Sequence, residues 1–436
     1  MLLENIHGVI RRIDYTLTDA DIDIWAQQCI LAVENETFDF STKVKEVFTQ
    51  SGKRRVIYHY PKLSVENFIC HYLKKRLDKV FKIEYASRSK IINLLFNTIP
   101  ALKNMNDFVI IRADFKSFFD SVLSRFVYEK YVLPSLLPRG DKDILEKYID
   151  EYKYCYAGLC LSNGMTEIVC RDFDKKLKAR LTSYGVFFYE RYVDDMLIML
   201  NSYVSQDEII DIINTTISEI FCTCPVRLST SPGKFSYISR RGLLVFQKFN
   251  FLGYEFFINE FNGNISFQYG ITEKKRSRYS NIIERAFAQY AVNHDEELLR
   301  QRIKIFSSRV VIARQLMGTS FDWLTKGVIA NYNELRNYTG YLHRDTKEFL
   351  ENLYYILLRK YHLKRPYFIP RKCNEESMYN LFSNMKRNRT LLFEENIGIP
   401  KEVLLAWMLK IDASYSSRGK DYYRIVIDYL EKIKIE

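Results

Sequence analysis

The sequence predicts an α+β fold: a small antiparallel sheet backed by helices, followed by a basic helical region. Three observations carry this. Residues 107–114 (DFVIIRAD) and 186–200 (VFFYERYVDDMLIML) are apolar runs that end or break at acids, the pattern of buried strands. Helix-period segments lie between and after them, giving the order strand, helix, loop, helix, strand, strand, helix, strand over 107–258. Residues 273–365 then read as strongly helical and basic, with Pro366 and Pro370 marking a boundary before a mixed, largely helical tail.

The elements follow in order. Residues 1–50 read as a helical lead-in, with Asp19 as the N-cap before an Ile22–Trp25–Cys29 stripe. RRVIYHY (54–60) alternates like a strand and stops at Pro61. In 63–81, Phe68, Tyr72, Leu73 and Leu77 share one helical face, and 88–103 continues helical. A helical stretch at 119–132 precedes the turn 158–164 (GLCLSNG), which feeds a helix over 165–181. The run 186–200 is a hairpin with Asp194 and Asp195 at its tip. Ser205 caps a helix to 221, and KFNFLGYEFFI (248–258) is a second hairpin-like pair.

Composition excludes the non-globular classes. At 436 residues and 47% hydrophobic, with 16 Gly and 9 Pro, the chain is neither collagenous nor disordered. No apolar run approaches the ~18 residues of a membrane span, and MLLENIHGVIRR lacks the pattern of a secretion signal. The eight Cys form no CxxC pair, so a reduced, cytoplasmic protein without a zinc site is expected. Charge is uneven. Residues 1–50 hold 4 basic and 9 acidic residues; 51–103 hold 12 and 3; 270–320 hold 10 and 5. Basic blocks interleaved with aromatics suit phosphate backbones, nucleotide triphosphates and stacked bases. Nucleic acid is therefore the expected partner, and no membrane is.

Asp194 and Asp195 sit between strands too hydrophobic to be surface, and Asp114 ends another such strand. Carboxylates buried together repel unless a cation neutralises them. Three converging hard-oxygen groups suit Mg²⁺, and two such ions ~3.5–4 Å apart serve phosphoryl transfer.

Here a resemblance becomes specific. Tyr192-Val193-Asp194-Asp195 resembles the YxDD box of reverse transcriptases. Asp114 to Ser121 (DFKSFFDS) resembles their first palm motif, in the DxxxFF form of bacterial enzymes. Gly158 to Asn163 resembles the substrate-binding loop, Phe251-Leu252-Gly253-Tyr254 the primer-grip hairpin, and Pro232-Gly233-Lys234 the lysine motif before it. All five stand in family order and cover roughly residues 50–365. The loop departs from the usual GLPxG, with Cys160 and Ser162 in place of Pro and Gly. Its SNxxxE form (Ser162, Asn163, Glu167) is similar to bacterial abortive-infection and defence-associated reverse transcriptases.

The resemblance implies a right-hand polymerase. It would have an N-terminal segment and fingers (1–106), a ferredoxin-like palm (107–258), a helical thumb (259–365) and a small C-terminal helical extension (366–436). It implies catalysis by Asp114, Asp194 and Asp195, with the Phe115 backbone beside two Mg²⁺ ions (Mn²⁺ as substitute). Lys53, Arg55, Arg88, Phe119, Ser162, Asn163 and Lys234 would contact the nucleotide. Phe119 would discriminate the sugar and Lys234 would protonate pyrophosphate. Leu252, Gly253 and Tyr254 would grip the primer; Lys274, Lys275, Arg276 and Arg278 would track nucleic acid. Plainer readings stand beside these: a solvated basic face, a helix cap, a surface lysine, a core phenylalanine, a simple turn. The implied partners are dNTPs, an RNA template or noncoding RNA, a DNA product, a second copy of the chain, and a co-encoded defence partner. Two further readings are a retron-like enzyme with a dedicated noncoding RNA, and a non-catalytic splicing cofactor.

Overall fold

The computed structural model describes residues 3, 5–14, 17–50, 53–242, 246–315, 321–372 and 375–434. They fall into two compact units, 1–243 and 244–436.

The first unit opens with α1 (Ile6–Ile13) and α2 (Asp19–Glu34). The N-cap of α2 is Thr18 rather than the expected Asp19. Thr18 and Asp21 form a reciprocal capping box, which places Asp19 in the first turn, where an acid favours the helix dipole. Then β1 (Val44–Gln50) pairs antiparallel with β2 (Lys53–His59), so the lead-in is not wholly helical. Next come α3 (Val65–Phe81), capped by Ser64, and α4 (Arg88–Thr98), capped by Ser87. Phe68, Tyr72, Leu73 and Leu77 of α3 are buried, as their spacing predicts.

The central sheet follows: β3 (Val109–Asp114), β4 (Val186–Tyr192), β5 (Asp195–Leu200) and β6 (Ser236–Ser239), in spatial order β4-β5-β3-β6, all antiparallel. The short α5 (Ser124–Val127), α6 (Arg139–Glu151) and α7 (Cys160–Leu181) lie between β3 and β4 in the chain. Between β5 and β6 lies α8 (Gln206–Phe221), capped by Ser205. This is the βαββαβ order of a ferredoxin-like unit. The sheet is covered because β3 is apolar throughout except for Arg112 and Asp114, and every residue of it is buried. Helix α7 begins at Cys160, five residues earlier than the sequence predicts, so Ser162 and Asn163 lie in its first turn.

The second unit holds β7 (Phe246–Phe251), β8 (Tyr254–Phe261) and β9 (Asn264–Ile271), an antiparallel meander with one strand more than the expected hairpin. Helices α9 (Glu273–Asn293) and α10 (Glu296–Phe306) follow. The strongly helical reading of 273–365 missed two strands, β10 (Arg309–Gln315) and β11 (Phe321–Lys326). They pair with each other, and β10 also pairs in parallel with β12 (Thr390–Phe393). The short α11 (Val328–Asn331), α12 (Arg344–Lys360) and short α13 (Leu381–Arg387) precede β12; α14 (Lys401–Ile411) and α15 (Tyr422–Lys432) follow it. Val310, Ile312, Leu391 and Phe393 of that sheet share a core with Leu404, Met408, Ile425, Val426 and Tyr429 of the last two helices. Among the described residues no helix is long and apolar enough to cross a membrane. The seven described cysteines are free thiols, five of them buried; Cys373 lies outside the described residues.

Candidate active site

Register builds the site. Asp114 ends β3 directly opposite Asp195, which begins β5. Residues opposite each other in an antiparallel pair point to the same face, so both carboxylates emerge on one side of the sheet. Arg112, two residues before Asp114, shares that face. Its Nε donates to Asp195 Oδ1 at 2.9 Å and its Nη2 to Oδ2 at 3.2 Å. Its other terminal nitrogen donates to the Gly233 carbonyl. Lys234, in the turn after Gly233, is ion-paired through Nζ to Asp114 Oδ2.

The β4–β5 turn is Val193-Asp194, and Val193 has φ 59°. Positive φ is costly for a β-branched residue and persists only where surrounding bonds impose it. The Asp194 carbonyl accepts from Phe115 N at 3.2 Å, tying the turn to the end of β3. Among the described residues no cationic side chain is ion-paired to Asp194. Burial, and then the neighbouring Asp114 charge, push its carboxyl up to about 6. Burial also raises Asp195, against the opposing pull of Arg112.

Phe115 is buried and stacked on Phe118, centroids 4.9 Å apart, with Phe173 and Phe221 edge-on to it. That cluster anchors the segment leaving β3. Phe119 is half-buried beside it, so the two neighbouring phenylalanines face different surroundings.

The carboxylates fit a hard divalent cation in kind. As arranged, Lys234 holds Asp114 and Arg112 holds Asp195. Among the described residues no three Asp, Glu, His or Cys side chains are gathered as a metal-holding set.

The other expected residues distribute as follows. Ser162 is buried and among the described residues its hydroxyl has no hydrogen-bond partner, while Asn163 is exposed. The loop before them lies against β2: Tyr58 N donates to the Ala157 carbonyl at 3.0 Å. Gly158, at φ 98°, has no room for a Cβ beside the Tyr58 backbone. Arg88 is half-buried in the first turn of α4. Lys53 and Arg55 stand on β2, with their side chains outside the described residues.

In the second unit Leu252 and Gly253 form the β7–β8 turn, with φ 48° and 85°. Tyr254 is fully buried and its hydroxyl bonds Glu334, so it serves the core there. Lys274 and Arg278 are exposed and Lys275 is half-buried. Arg276 is turned inward, 2.8 Å from buried Glu255 and 3.3 Å from Asp345.

Arg112 and Arg191 are site residues that the sequence reading missed. The signal for Arg112 was an arginine in a buried strand, on the face of the strand's terminal acid. For Arg191 it was Glu167 and Asp174, seven residues apart on one helix face, opposite a strand with a single arginine.

No protein-family model matches the chain, and no curated protein matches its sequence. Solved structures similar over most of its length include two telomerases. Telomerase from Candida albicans, in complex with a fragment of telomeric RNA, is 11% identical. The match covers 94% of this chain and 69% of that one, at TM-score 0.37. Telomerase from Candida tropicalis, in a complex of the same kind, is 12% identical, covering 96% and 69% at TM-score 0.38. Likeness at this level carries no argument about activity, substrate or partner.

Proposed function

We propose that the chain is a reverse-transcriptase-like nucleic-acid polymerase, RNA-directed or template-independent, that adds nucleotides from dNTPs to a 3′ hydroxyl in bacterial antiphage defence. The observation that carries the polymerase reading is the register of Asp114 against Asp195, which sets three acids at one end of a buried sheet beside Lys234. The defence role rests on the SNxxxE resemblance.

In this reading 1–106 supply the N-terminal segment and fingers, 107–258 the palm, 259–365 the thumb and 366–436 an extension. Asp114 and Asp194, with the Phe115 backbone, would hold Mg²⁺ or Mn²⁺, and Asp195, balanced by Arg112, would support them. Divalent ions held there would supply charge stabilisation for the attacking and leaving oxygens of the transfer. The Lys234 side chain is 45% exposed against 5% for Asp114, so its amine is free to exchange Asp114 for the nucleotide's phosphates. From there it donates the proton that leaves with pyrophosphate. Phe119 lies under the sugar, and Asn163 and Ser162 line the nucleotide site.

The test is dNTP incorporation on primed RNA, primed DNA and no template, by wild type and by the Asp194→Ala/Asp195→Ala double variant. Incorporation by wild type alone is expected, and undiminished incorporation by the variant overturns the assignment. One observation favours a second reading, a non-catalytic nucleic-acid-binding protein: both Asp114 and Asp195 are neutralised by the chain's own cations. Nucleic-acid binding without incorporation under every template condition would establish it. A discrete RNA copurifying with the protein would favour the noncoding-RNA-templated form.

A further inference from the structure

Glu167, the acid of the SNxxxE motif, pairs with a buried arginine beside the acidic turn. It lies on α7, 2.7 Å from the Nη2 of Arg191, the residue before Tyr192. Asp174, two turns along the same helix, takes the other side of the guanidinium, with Nε at 3.0 Å and Nη2 at 3.0 Å. Tyr189 donates its hydroxyl to Asp174 at 2.7 Å, fixing that carboxylate in turn. Arg191 is buried, 8% exposed.

One carboxylate would neutralise this charge. Two, from positions two turns apart on one helix, fix the plane of the guanidinium as well. A further N–H of the fork then has a set direction: Nη1 donates to the Val193 carbonyl at 2.8 Å. That carbonyl belongs to the peptide plane before Asp194. The plane after Asp194 is held by its own carbonyl, which accepts from Phe115 N at 3.2 Å. Peptide units are rigid planes. With both flanking planes anchored, the direction in which Asp194 leaves the backbone is set, and Val193 is kept at φ 59°.

We infer that Arg191 is a positioning residue for Asp194, oriented by Glu167 and Asp174, and that its bond to the Val193 carbonyl holds the acidic turn in its aiming conformation. Its consequence for turnover rests on the polymerase reading; its consequence for the turn does not.

Hydrogen exchange of the amides in 192–196 and steady-state incorporation are to be compared for wild type, Arg191→Lys and Glu167→Gln. Arg191→Lys keeps the charge and loses the fork. Glu167→Gln keeps the shape and leaves Asp174 paired, a milder change should the first variant fail to fold. Arg76→Lys is the control, since Arg76 bonds Asp141 at 2.8 Å in a partly buried pair on other helices.

Exchange in 192–196 is expected to rise in both test variants and not in Arg76→Lys. The kcat is expected to fall by ~10- to 100-fold in Arg191→Lys, with KM for dNTP little changed, as for a misplaced catalytic group. Unchanged exchange in both test variants, with only a lower melting temperature, overturns the inference and makes Arg191 a structural ion pair. If wild type incorporates no nucleotide, the polymerase reading fails, while the exchange result still decides the positioning role.

Discussion

At the scale of single residues the site is a balance of charges, and Asp194 stands on its unfavourable side. Its carboxyl is raised to about 6 by burial and by Asp114, against an ordinary value near 3.8. Between those values the folded state holds a proton that the unfolded state has released. Stability therefore falls as pH rises through this window, and the loss is complete above pH ~6. Asp194→Asn removes the dependence. Near pH 7.5 without divalent ions, the variant is expected to be more stable than wild type by up to ~3 kcal/mol. At pH 3.5 the two should melt together, and equal melting temperatures at both pH values would contradict the assignment. Millimolar Mg²⁺ should raise the melting temperature of wild type and not of Asp194→Asn. The two neighbouring phenylalanines give a second contrast. Phe118 is buried and stacked on Phe115, so Phe118→Val should cost ~2–4 kcal/mol of stability. Phe119→Val, at a half-buried position, should cost less and should lower the dNTP:rNTP preference measured in competition.

At the scale of elements, two turns explain residues that propensity alone would not choose. The β7–β8 hairpin turns through Leu252 and Gly253, both at positive φ, the geometry of a tight turn that favours Asn-Gly. Leucine there costs about 1 kcal/mol against a residue that tolerates the left-handed region. Leu252→Asn should therefore raise the melting temperature. If Leu252 packs against a primer, the same change lowers primer affinity, and a filter-binding titration separates the two effects. The loop before α7 shows the opposite constraint: Gly158→Ala should destabilise the first unit, because its Cβ has no place beside Tyr58. The approach of Asp114 to the Asp194–Asp195 turn was legible in the sequence, because apolar strands that end in acids leave few places for those acids to go. The β10–β12 sheet was not. Its strand RVVIARQ is short and apolar, ambiguous between helix and strand, and its parallel partner lies about eighty residues along the chain. Nor was the start of α7, because the Asn163-Gly164 pair within its first two turns reads as a turn.

At the scale of the whole molecule, each compact unit carries one of the two basic blocks, 51–103 in the first and 270–320 in the second. A sequence count treats every cation in a block alike, and the structure divides them. Lys274 and Arg278 are exposed on α9, whereas the Arg276 side chain is 12% exposed and answers Glu255, which is 3% exposed. Phosphates can draw on the first two at small cost. Taking Arg276 would leave buried Glu255 with the more distant Lys248, 3.6 Å away, a loss that approaches the ~3–5 kcal/mol of a broken buried pair. Charge reversal should therefore separate the residues by phenotype. Lys274→Glu with Arg278→Glu should leave the melting temperature nearly unchanged and weaken nucleic-acid binding equally for all sequences. It should also flatten the dependence of log K on log salt by ~0.7–0.9 for each phosphate no longer neutralised. Arg276→Glu should lower the melting temperature first, with weaker binding only as a consequence. Should Lys274→Glu with Arg278→Glu leave the salt slope at the wild-type value, α9 is not a backbone-tracking helix and the block at 270–320 is a solvated face. Should Arg276→Glu flatten that slope without loss of stability, its guanidinium reaches phosphate instead of Glu255.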